Sequence, residues 1–270
     1  MPAEAPFVTV VTPAFRAARW IADAMRTVAE QREGGAVRVE HVVLDGGPDD
    51  GTAAVVARFA HPDTRYVRRP DSGPADAINR GFAEARGEYF AWLNADDSYA
   101  PRALERSAAA LRASPRAPFS FGRCPVVDAY GREIRRFVTR FKDFWHPVSC
   151  RAAIRTLNYV CQPATLIRRS AWEGAGPLRT DLRAAWDYDL WLRLWRLGRP
   201  VRVPGRDPVA FFRWTPDSIG GAGYERQFAE ELAVARADAG RFAPSALLHF
   251  FVARGIVACY RRMNKRDAAR

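Results

Sequence analysis

The sequence predicts an α/β fold with a mostly parallel central sheet, helices on both faces and further helices at the C-terminus. Short β-rich runs alternate with helical patterns over the first 115 residues, as expected for parallel strands joined by crossover helices. A hydrophobic content of 48%, with 12% aromatic residues, is enough for a packed core and argues against disorder. The length of 270 residues fits one large domain with an appendage.

The first half of the chain is predicted to contain four strands, each followed by a helix. The strands are rich in β-branched and aromatic residues and are placed at 7–12, 37–45, 64–69 and 88–94. The helices show apolar residues at helical spacing, or Pro in the first turn, and are placed at 18–31, 51–60, 74–85 and 101–114.

The alternation loosens in the second half of the chain. The predicted elements, in order, are two strands around the turn "AYGR" (129–132), an irregular aromatic loop (138–160), a strand entering a helix (161–172), an amphipathic helix ending at Gly198 (186–198), a strand (208–214) and a helix (224–239). We therefore divide the chain into one domain (1–222), with halves at 1–115 and 116–222, and a C-terminal helical extension (223–270).

The net charge of +12 comes almost entirely from arginine, since Lys142 and Lys265 are the only lysines. A basic chain attracts nucleic acid, anionic membrane surfaces or phosphorylated small molecules. Nucleic acid is not expected as a partner, because the arginines are spread along the whole chain without a basic-aromatic stripe or a binding motif.

The four cysteines, Cys124, Cys150, Cys161 and Cys259, form no C-x-x-C pair and no ordered spacing with His. They predict neither a zinc site nor a disulfide framework, and they fit a reducing compartment. The sequence shows no signal-peptide pattern and no apolar run long enough to span a membrane. We expect a cytoplasmic protein, or one held on the inner face of the cell membrane.

Polar residues follow the predicted strands of the first half at the point where each strand ends. Strand one ends at Thr12, strand two at Asp45, strand three leads to Asp71, and strand four leads to the adjacent carboxylates Asp96 and Asp97. Ligands of an open parallel sheet bind beyond the carboxyl ends of its strands. As alternatives, Asp45 is a turn former and Asp71 caps the helix that follows it.

Five segments of the chain, taken in order, resemble the inverting family 2 glycosyltransferases of the GT-A, Rossmann-like fold. They are "VTVVTPAF", "EHVVLDGGPDDGT", "RRPDSGPADAINRGFAEARGEYFAWLNADD", "CQPATLIRRSAW" and "DYDLWLRL". The resemblance extends from about Phe7 to about Ser218, and its strength lies in the order and spacing of the segments together.

The resemblance implies a nucleotide-binding wall at the ends of the first strands. Asp45 resembles the carboxylate that hydrogen-bonds the base, and Asp71 resembles the one further along the same wall. The positions implied to contact the nucleotide are Thr12, Pro13, Ala14, Phe15, Asp45, Asp71, Asn94 and Ala95.

The segment "NADD" resembles the D-x-D motif, with Asn94 in the first acidic place, Asp96 in the second and Asp97 beside it. This implies that Asp96 and Asp97 hold Mn²⁺ or Mg²⁺, which neutralises the charge of the departing diphosphate. Asn94 departs from the pattern by lacking a charge, so metal binding is expected to be kept but weaker. Thr215 stands where relatives often carry His, and Arg213 or Ser218 is the expected compensation.

The resemblance places the catalytic base at Asp187, at the start of a helix, where it removes the proton of the acceptor hydroxyl. The alternative is that Asp187 is an acid in the first turn that only interacts favourably with the helix dipole. Asp189, two residues later, is expected to point elsewhere, and Arg193 to pair with a carboxylate. Gln162 and Trp186 are the candidates for contact with the sugar or acceptor, with a structural role for Gln162 left open.

Residues 242–266 form an apolar segment with a basic end. Two interpretations remain open. The segment packs on the domain or on a second subunit of a homodimer, or it lies as an interfacial helix on anionic lipid.

The function implied by the resemblance is sugar transfer from a nucleotide-diphosphate sugar. The donor is expected to be a UDP- or dTDP-sugar, and the acceptor a hydroxyl of a glycan or lipid-linked acceptor in cell-surface polysaccharide synthesis. A catalytically silent nucleotide-sugar-binding scaffold is the alternative. Asn94 and Thr215 favour the scaffold weakly, whereas the retained Asp187 argues against it.

Overall fold

The structure, a computed structural model, describes residues 7–215 and 223–268 as strands that alternate with helices. The strands are β1 (Phe7–Ala14), β2 (Arg38–Asp45), β3 (Thr64–Arg68), β4 (Tyr89–Trp92), β5 (Ser98–Tyr99), β6 (Phe119–Phe121), β7 (Val126–Val127), β8 (Thr165–Arg168), β9 (Val201–Arg202) and β10 (Ala210–Arg213). The helices are α1 (Ile21–Glu30), α2 (Thr52–Phe59), α3 (Pro74–Ala83), α4 (Ala103–Ala113), α5 (Arg136–Trp145), α6 (Arg151–Thr156), α7 (Arg169–Ala175), α8 (Trp186–Leu197), α9 (Tyr224–Ala239) and α10 (Pro244–Ala268).

The central sheet has seven strands in the order β3-β2-β1-β4-β8-β6-β9. Strand β1 is parallel to β2 and β4, β2 is parallel to β3, and β6 is parallel to β9. Strand β8 is antiparallel to both of its neighbours. The predicted α/β class with a mostly parallel sheet is confirmed. The register pairs Ala14 with Asp45 and Asp45 with Arg68, so that the carboxyl ends of β1, β2 and β3 meet at one edge.

The four predicted strand–helix units of the first half are all present, and their bounds differ from the predicted ones by no more than three residues. The amphipathic helix before Gly198 and the helix at 224–239 are also confirmed as α8 and α9. Periodicity was a sufficient signal here because each of these elements buries one side against the sheet or a neighbouring helix.

The loop predicted at 138–160 is wrong, because helices α5 and α6 occupy most of it. Helix α5 buries Thr139 and half-buries Phe141 and Trp145, while Phe137 and Phe144 are exposed. Phe137, Phe141, Phe144 and Trp145 recur at helical spacing along one side of α5, so the period is present in the sequence and the loop prediction overlooked it. The second strand of the predicted hairpin is reduced to one antiparallel bridge between Val127 and Glu133.

A second sheet of three strands, in the order β5-β10-β7, lies beside the carboxyl end of β4. Its strand β5 was not predicted, because two residues give no periodicity. Strand β10 is antiparallel to β5 and parallel to β7. This sheet brings Arg213, the last residue of β10, next to the turn that follows β4.

An aromatic cluster joins β4 to α8 in the core. The rings of Trp92 and Trp191 stack at 5.7 Å with an interplanar angle of 7°. Trp191 also stacks on Phe119 at 5.2 Å, and the ring of Trp186 lies 5.7 Å from that of Trp92. These contacts hold the first turn of α8 over the end of β4.

The two C-terminal helices pack on each other, α9 also contacts α8, and both contact α6. On α10, Ala246, His249 and Ala253 are buried, and His249 Nδ1 lies 3.0 Å from the Arg155 carbonyl oxygen. The segment is therefore a helix packed on the domain along one face, and membrane contact through 242–266 stays a prediction. Over residues 7–215 and 223–268, no helix has the length and apolarity needed to cross a membrane.

A buried carboxylate, Glu40, links the first two strands to the loop before β4. It accepts hydrogen bonds from Thr9 Oγ1 at 2.8 Å, from Arg86 N at 2.9 Å and from Arg86 Nε at 2.8 Å. Burial alone would raise the pKa of Glu40, but the hydrogen bonds from Arg86 and Thr9 outweigh it and hold the pKa below its usual value. The ionised form of Glu40 therefore stabilises the fold.

We expect Glu40→Gln to lower the free energy of unfolding by about 1–3 kcal/mol at pH 7, because one oxygen can no longer accept. The depressed pKa makes this contribution fully present above the unfolded value of about 4.3 and lost as pH falls through the folded value. Urea unfolding at pH 7 and at pH 3.5 measures it. The control is Glu84→Gln, whose exposed side chain pairs with Arg65. Equal effects of the two variants at pH 7 would refute the role of Glu40.

Candidate active site

Asp45 stands at the end of β2 with both carboxylate oxygens engaged. Tyr66 Oη donates to Oδ2 at 2.6 Å, and the Gly47 amide donates to Oδ1 at 2.9 Å. Burial and the bond to Asp45 raise the pKa of Tyr66, so the phenol stays a donor. The hydrogen bond from the Gly47 amide closes a local turn, which is the role that the alternative interpretation gives to Asp45. The same contacts fix the carboxylate at the sheet edge.

Asp71 packs directly against the loop that follows Asp45. Its Oδ1 accepts from the Gly73 amide at 2.9 Å. A Cβ at Gly46 would lie 2.1 Å from Asp71 Oδ2, so only glycine allows this approach. Burial is the main cause that raises the pKa of Asp71, and Asp45 adds to it. The two carboxylates thus lie near each other and form one wall at this edge of the sheet, and their contact with a nucleotide stays a prediction.

The end of β1 presents its predicted residues in different directions. The Thr12 hydroxyl is buried and lies 2.9 Å from His41 Nε2. Burial lowers the pKa of His41 to about 3, so this pair is neutral. Ala14 is buried, whereas the ring of Phe15 is 65% exposed. Pro13 is half-buried between them. Phe15 is therefore the predicted residue that offers an open aromatic surface here.

The turn after β4 is organised by the amide of Asn94. Its Nδ2 donates to Asp97 Oδ2 at 3.0 Å and to Gln162 Oε1 at 3.3 Å. Gln162 Nε2 in turn donates to the Trp92 carbonyl at 2.7 Å. Aspartate at position 94 would place a carboxylate against Asp97, whereas asparagine supplies a donor. The missing charge at Asn94 therefore has a local structural reason. Ala95, also predicted here, packs half-buried beside the apolar cluster around Ala14.

The adjacent carboxylates of this turn have different surroundings. Asp97 is fully buried and accepts from the Arg213 amide at 2.9 Å. Asp96 is half-buried, and within residues 7–215 and 223–268 its carboxylate makes no side-chain hydrogen bond. Burial raises the pKa of both groups, and the charge of Asp96 raises that of Asp97 further.

Arg213 holds this turn from the second sheet. Its guanidinium donates to the Asp96 carbonyl at 2.9 Å, to the Ala129 carbonyl at 2.7 Å and to Asp23 Oδ2 at 2.6 Å. Arg213 was one of the two residues expected to compensate for Thr215, and the other, Ser218, lies outside the described residues. The contacts of Arg213 hold the turn after β4 in place.

Asp187 lies in the first turn of α8, half-buried, with Oδ1 accepting from the Tyr188 amide at 2.6 Å. Burial, and next the charge of Glu231, raise the pKa of Asp187 to about 7. Asp189 points elsewhere, as expected, and pairs with Arg193 Nε at 2.8 Å. The catalytic role of Asp187 stays a prediction, and so does the alternative of a first-turn acid.

The start of α8 is capped by a residue from another helix, which was not predicted. Glu230, on α9, accepts from the amides of Arg183, Ala184 and Ala185 at 2.8–3.2 Å. These amides directly precede the helix and lack a local side-chain cap. The signal was hidden because Glu230 lies more than 40 residues further along the chain.

A cavity of about 490 Å³ connects four of the predicted residues: Asn94, Gln162, Trp186 and Asp187. The wall formed by Asp45 and Asp71 does not line it. Its remaining polar and ionisable lining was not predicted, and includes Lys142, Cys161, Asn158, Gln227 and Glu231. The cavity also receives many apolar side chains from α5, α9 and α10.

Several of the polar groups that line this cavity are partnered with one another. Lys142 Nζ donates to Cys161 Sγ at 3.7 Å. A hydrogen bond from Cys124, together with Lys142, lowers the pKa of Cys161 to about 6. Glu231 accepts from Asn158 Nδ2 at 3.3 Å and from Gln227 Nε2 at 3.1 Å. Among the described residues, no three His, Cys, Asp or Glu side chains are grouped to hold a metal ion.

Comparison with protein families and curated proteins adds an independent finding. The model of "Glycosyl transferase family 2" matches residues 9–173. An uncharacterized glycosyltransferase of Mycobacterium tuberculosis is 30% identical over 201 residues, which cover 74% of this chain and 72% of that protein. One from Rickettsia felis is 27% identical over 199 residues, 71% of this chain and 32% of its own. The chain thus spans about a third of the length of three Rickettsia relatives.

A third relative is the succinoglycan biosynthesis protein ExoO of Rhizobium meliloti. It is 35% identical over 133 residues, which cover 49% of this chain and 37% of that protein. This match is shorter than the other two.

Solved structures share the fold. The mannosyltransferase PcManGT from Pyrobaculum calidifontis, in complex with GDP-Man and Mn²⁺, has a TM-score of 0.67 at 21% identity, over 99% of this chain and 81% of that one. S. aureus TarS 1–349, in complex with UDP, has a TM-score of 0.66 at 16% identity, over 88% of this chain and 66% of that one. At these identities the likeness shows the fold alone.

We expect Asp187→Asn to stabilise the protein at alkaline pH. A raised folded pKa of about 7 means that ionised Asp187 costs stability. The cost is absent below the unfolded pKa of about 4, grows as pH rises, and is complete above 7. The variant should gain up to about 3 kcal/mol at pH 8 and almost nothing at pH 4. Urea unfolding at both pH values measures the gain.

The matched control for this prediction is Asp181→Asn, which removes an exposed carboxylate that pairs with Arg179. Its stability should not follow the same pH course. A gain for Asp187→Asn that is equal at pH 4 and pH 8 would contradict the raised pKa.

Proposed function

This chain belongs to glycosyl transferase family 2 and is a glycosyltransferase, and we propose that it acts by an inverting, metal-dependent mechanism on a nucleotide-diphosphate sugar. The observation that carries the proposal is the position of Asp187. Its carboxylate has a pKa of about 7 and shares one cavity with Asn94 and Gln162, which belong to the network of the turn after β4.

The nucleotide is proposed to lie along the edge formed by β1, β2 and β3. Asp45 and Asp71 provide fixed acceptors for the base and ribose, and the exposed ring of Phe15 provides a surface for stacking. Thr12 acts through the backbone at this edge, since its hydroxyl faces His41. The UDP in the TarS structure and the GDP-Man in the PcManGT structure support a nucleotide ligand. For this chain we propose a UDP- or dTDP-sugar.

A divalent cation, Mn²⁺ or Mg²⁺, is proposed at Asp96, with Asp97 beside it. The donor set fits, because these cations take oxygen ligands and need only one or two protein carboxylates besides phosphate oxygens and water. When bound, the cation neutralises charge on the departing diphosphate. Arg213 and Asn94 fix Asp97 from inside the protein, so that the carboxylate of Asp96 remains for the cation. The Mn²⁺ in the PcManGT structure supports this choice of metal.

Asp187 is proposed as the general base. It takes the proton of the acceptor hydroxyl while that oxygen forms a bond to the anomeric carbon of the sugar. The bond between this carbon and the diphosphate oxygen breaks, and the nucleoside diphosphate leaves with the electron pair. A base with a pKa near 7 is well matched to this task. Trp186 and Gln162, which line the same cavity, are proposed to position the acceptor.

The acceptor is proposed to be a hydroxyl of a glycan or lipid-linked acceptor in cell-surface polysaccharide synthesis, and the protein to work in the cytoplasm or on the inner face of the membrane. The likeness to the succinoglycan biosynthesis protein supports this setting. A silent nucleotide-sugar-binding scaffold is the second candidate. It is less well supported, because Asn94 has a structural reason for its missing charge and Asp187 keeps the pKa of a base.

We expect Asp187→Asn to abolish transfer, by about 100-fold or more, while nucleotide binding is unchanged. In the wild type, kcat/KM should fall about tenfold per pH unit below pH 7, because the base must be ionised. The assay follows release of nucleoside diphosphate from a panel of UDP-, dTDP- and GDP-sugars with Mn²⁺. Thermal shift with the same panel measures binding. Stabilisation by a nucleotide-sugar without any turnover in the wild type would favour the scaffold instead.

We expect Asp96→Asn and Asp97→Leu to fail in different ways. Asp96→Asn should lose about 100-fold of the Mn²⁺-dependent rate without a lower melting temperature, because burial already disfavours the charge of Asp96. Asp97→Leu should lower the melting temperature, because it leaves two donors, Arg213 N and Asn94 Nδ2, without their acceptor. Activity against Mn²⁺ concentration and thermal melts separate the two. Full Mn²⁺-dependent activity in Asp96→Asn would refute its assignment to the metal.

A further inference from the structure

We propose that the cavity behind Asp187 binds the apolar chain of an amphipathic acceptor. The inference rests on the proposed function, because it makes Asp187 the point at which the acceptor hydroxyl meets the sugar. The cavity volume of about 490 Å³ lies within the range of about 300–1,000 Å³ that is usual for small-molecule sites.

Most of the residues that line the cavity are apolar. Asn94, Gln162 and Asp187 line it together with Lys142, Cys161, Asn158, Gln227 and Glu231. The apolar lining comes from six separate parts of the fold, and includes Val126, Phe141, Leu157, Phe212, Phe228 and Val252. A ligand that matches this lining carries a few polar groups, among them the hydroxyl that meets Asp187, and hydrocarbon over most of its surface.

A purely polar glycan does not fit the apolar part. Each buried hydroxyl needs a hydrogen-bond partner, or its transfer from water is unfavourable. Several polar side chains of the lining are already engaged, Lys142 with Cys161, and Glu231 with Asn158 and Gln227. Among the described residues, Asn158 Oδ1 and Trp214 Nε1 are buried without a hydrogen-bond partner. The polar groups left over are too few for the many hydroxyls of a glycan, whereas a hydrocarbon chain requires no partner.

Helix α10 forms one wall of the cavity and leaves space in it at Gly255. The residues Val252, Gly255, Ile256 and Tyr260 face the cavity at helical spacing. A Cβ at Gly255 would meet no atom within 4 Å. Glycine inside a helix costs about 1 kcal/mol relative to alanine, and no neighbouring backbone requires it here. Its effect is to keep this part of the cavity open.

Apolar residues continue from the cavity to the protein surface. Leu248 and Phe251 precede Val252 and Gly255 by four residues each, and therefore lie on the same side of α10 one turn earlier. They are 51% and 67% exposed. Phe137 of α5 lines the cavity and is itself 67% exposed. A chain longer than the cavity has an apolar path outward between α5 and α10.

The test compares decyl glucoside, below its micelle concentration, with methyl glucoside by isothermal titration calorimetry on the full chain. The wild type should bind decyl glucoside at least about tenfold more tightly, because burial of each methylene is favourable. Gly255→Leu fills the cavity and should lose at least about tenfold in decyl glucoside affinity. Its helix should not be weakened, since leucine is the better helix former.

The matched control is Ala233→Leu, an exposed position on the side of α9 that faces away from the cavity-lining residues Phe228 and Glu231, and it should bind decyl glucoside like the wild type. Equal affinity for the two glucosides, or equal decyl glucoside affinity in Gly255→Leu and the wild type, overturns the proposal. Equal losses in both leucine variants also overturn it, because they indicate association with the helix surface.

A further arm separates this inference from the proposed function. Gly255→Leu should keep its thermal shift with nucleotide-sugar, and Asp187→Asn should keep its affinity for decyl glucoside. If decyl glucoside binds more tightly than methyl glucoside and Gly255→Leu removes this difference, the apolar site is supported. This holds even if no sugar is transferred, and in that case only the proposed function fails. Transfer by the wild type with no chain-dependent binding leaves the function standing and overturns the apolar site.

Discussion

The stack of Trp92 on Trp191 is the contact on which the candidate site depends. Trp92 ends β4 two residues before Asn94, and Trp191 lies one turn after Asp187 on α8. Because a packed aromatic core resists displacement, the stack fixes the distance between the turn after β4 and the first turn of the helix. The residues proposed for the metal and for the base come from segments about 90 residues apart, and this contact joins the two segments.

The site maintains several carboxylates in surroundings that disfavour their charge. Burial raises the pKa of Asp96, Asp97, Asp187 and Glu231 alike. Such clusters are costly to fold and are typical of sites where a cation or a proton transfer uses the charge. Asn94 limits the repulsion between these carboxylates, because its neutral amide donates to Asp97 at a position where an acid would add another negative charge.

Sequence reasoning found the parts of this protein whose signals are local. Strand ends such as Asp45 and the first turn of α8 at Asp187 follow from period and chain order. Helix α5 has a local signal of the same kind, since Phe137, Phe141 and Phe144 recur at helical spacing, but it was overlooked. The cap by Glu230 and the apolar cavity depend on residues brought together only by the fold, and no spacing in the sequence encodes them.

The cavity also shows where selectivity can reside in this chain. The family match ends at residue 173, but Asp187, Glu230 and the cavity wall at Gly255 all lie beyond it. The wall formed by Asp45 and Asp71 is inside the matched region, while the helices α9 and α10 that enclose the cavity are outside it. The carboxylates that we propose for the nucleotide and the helices that enclose the cavity are therefore separate in sequence, so a change in the cavity wall at Gly255 need not alter the edge formed by Asp45 and Asp71.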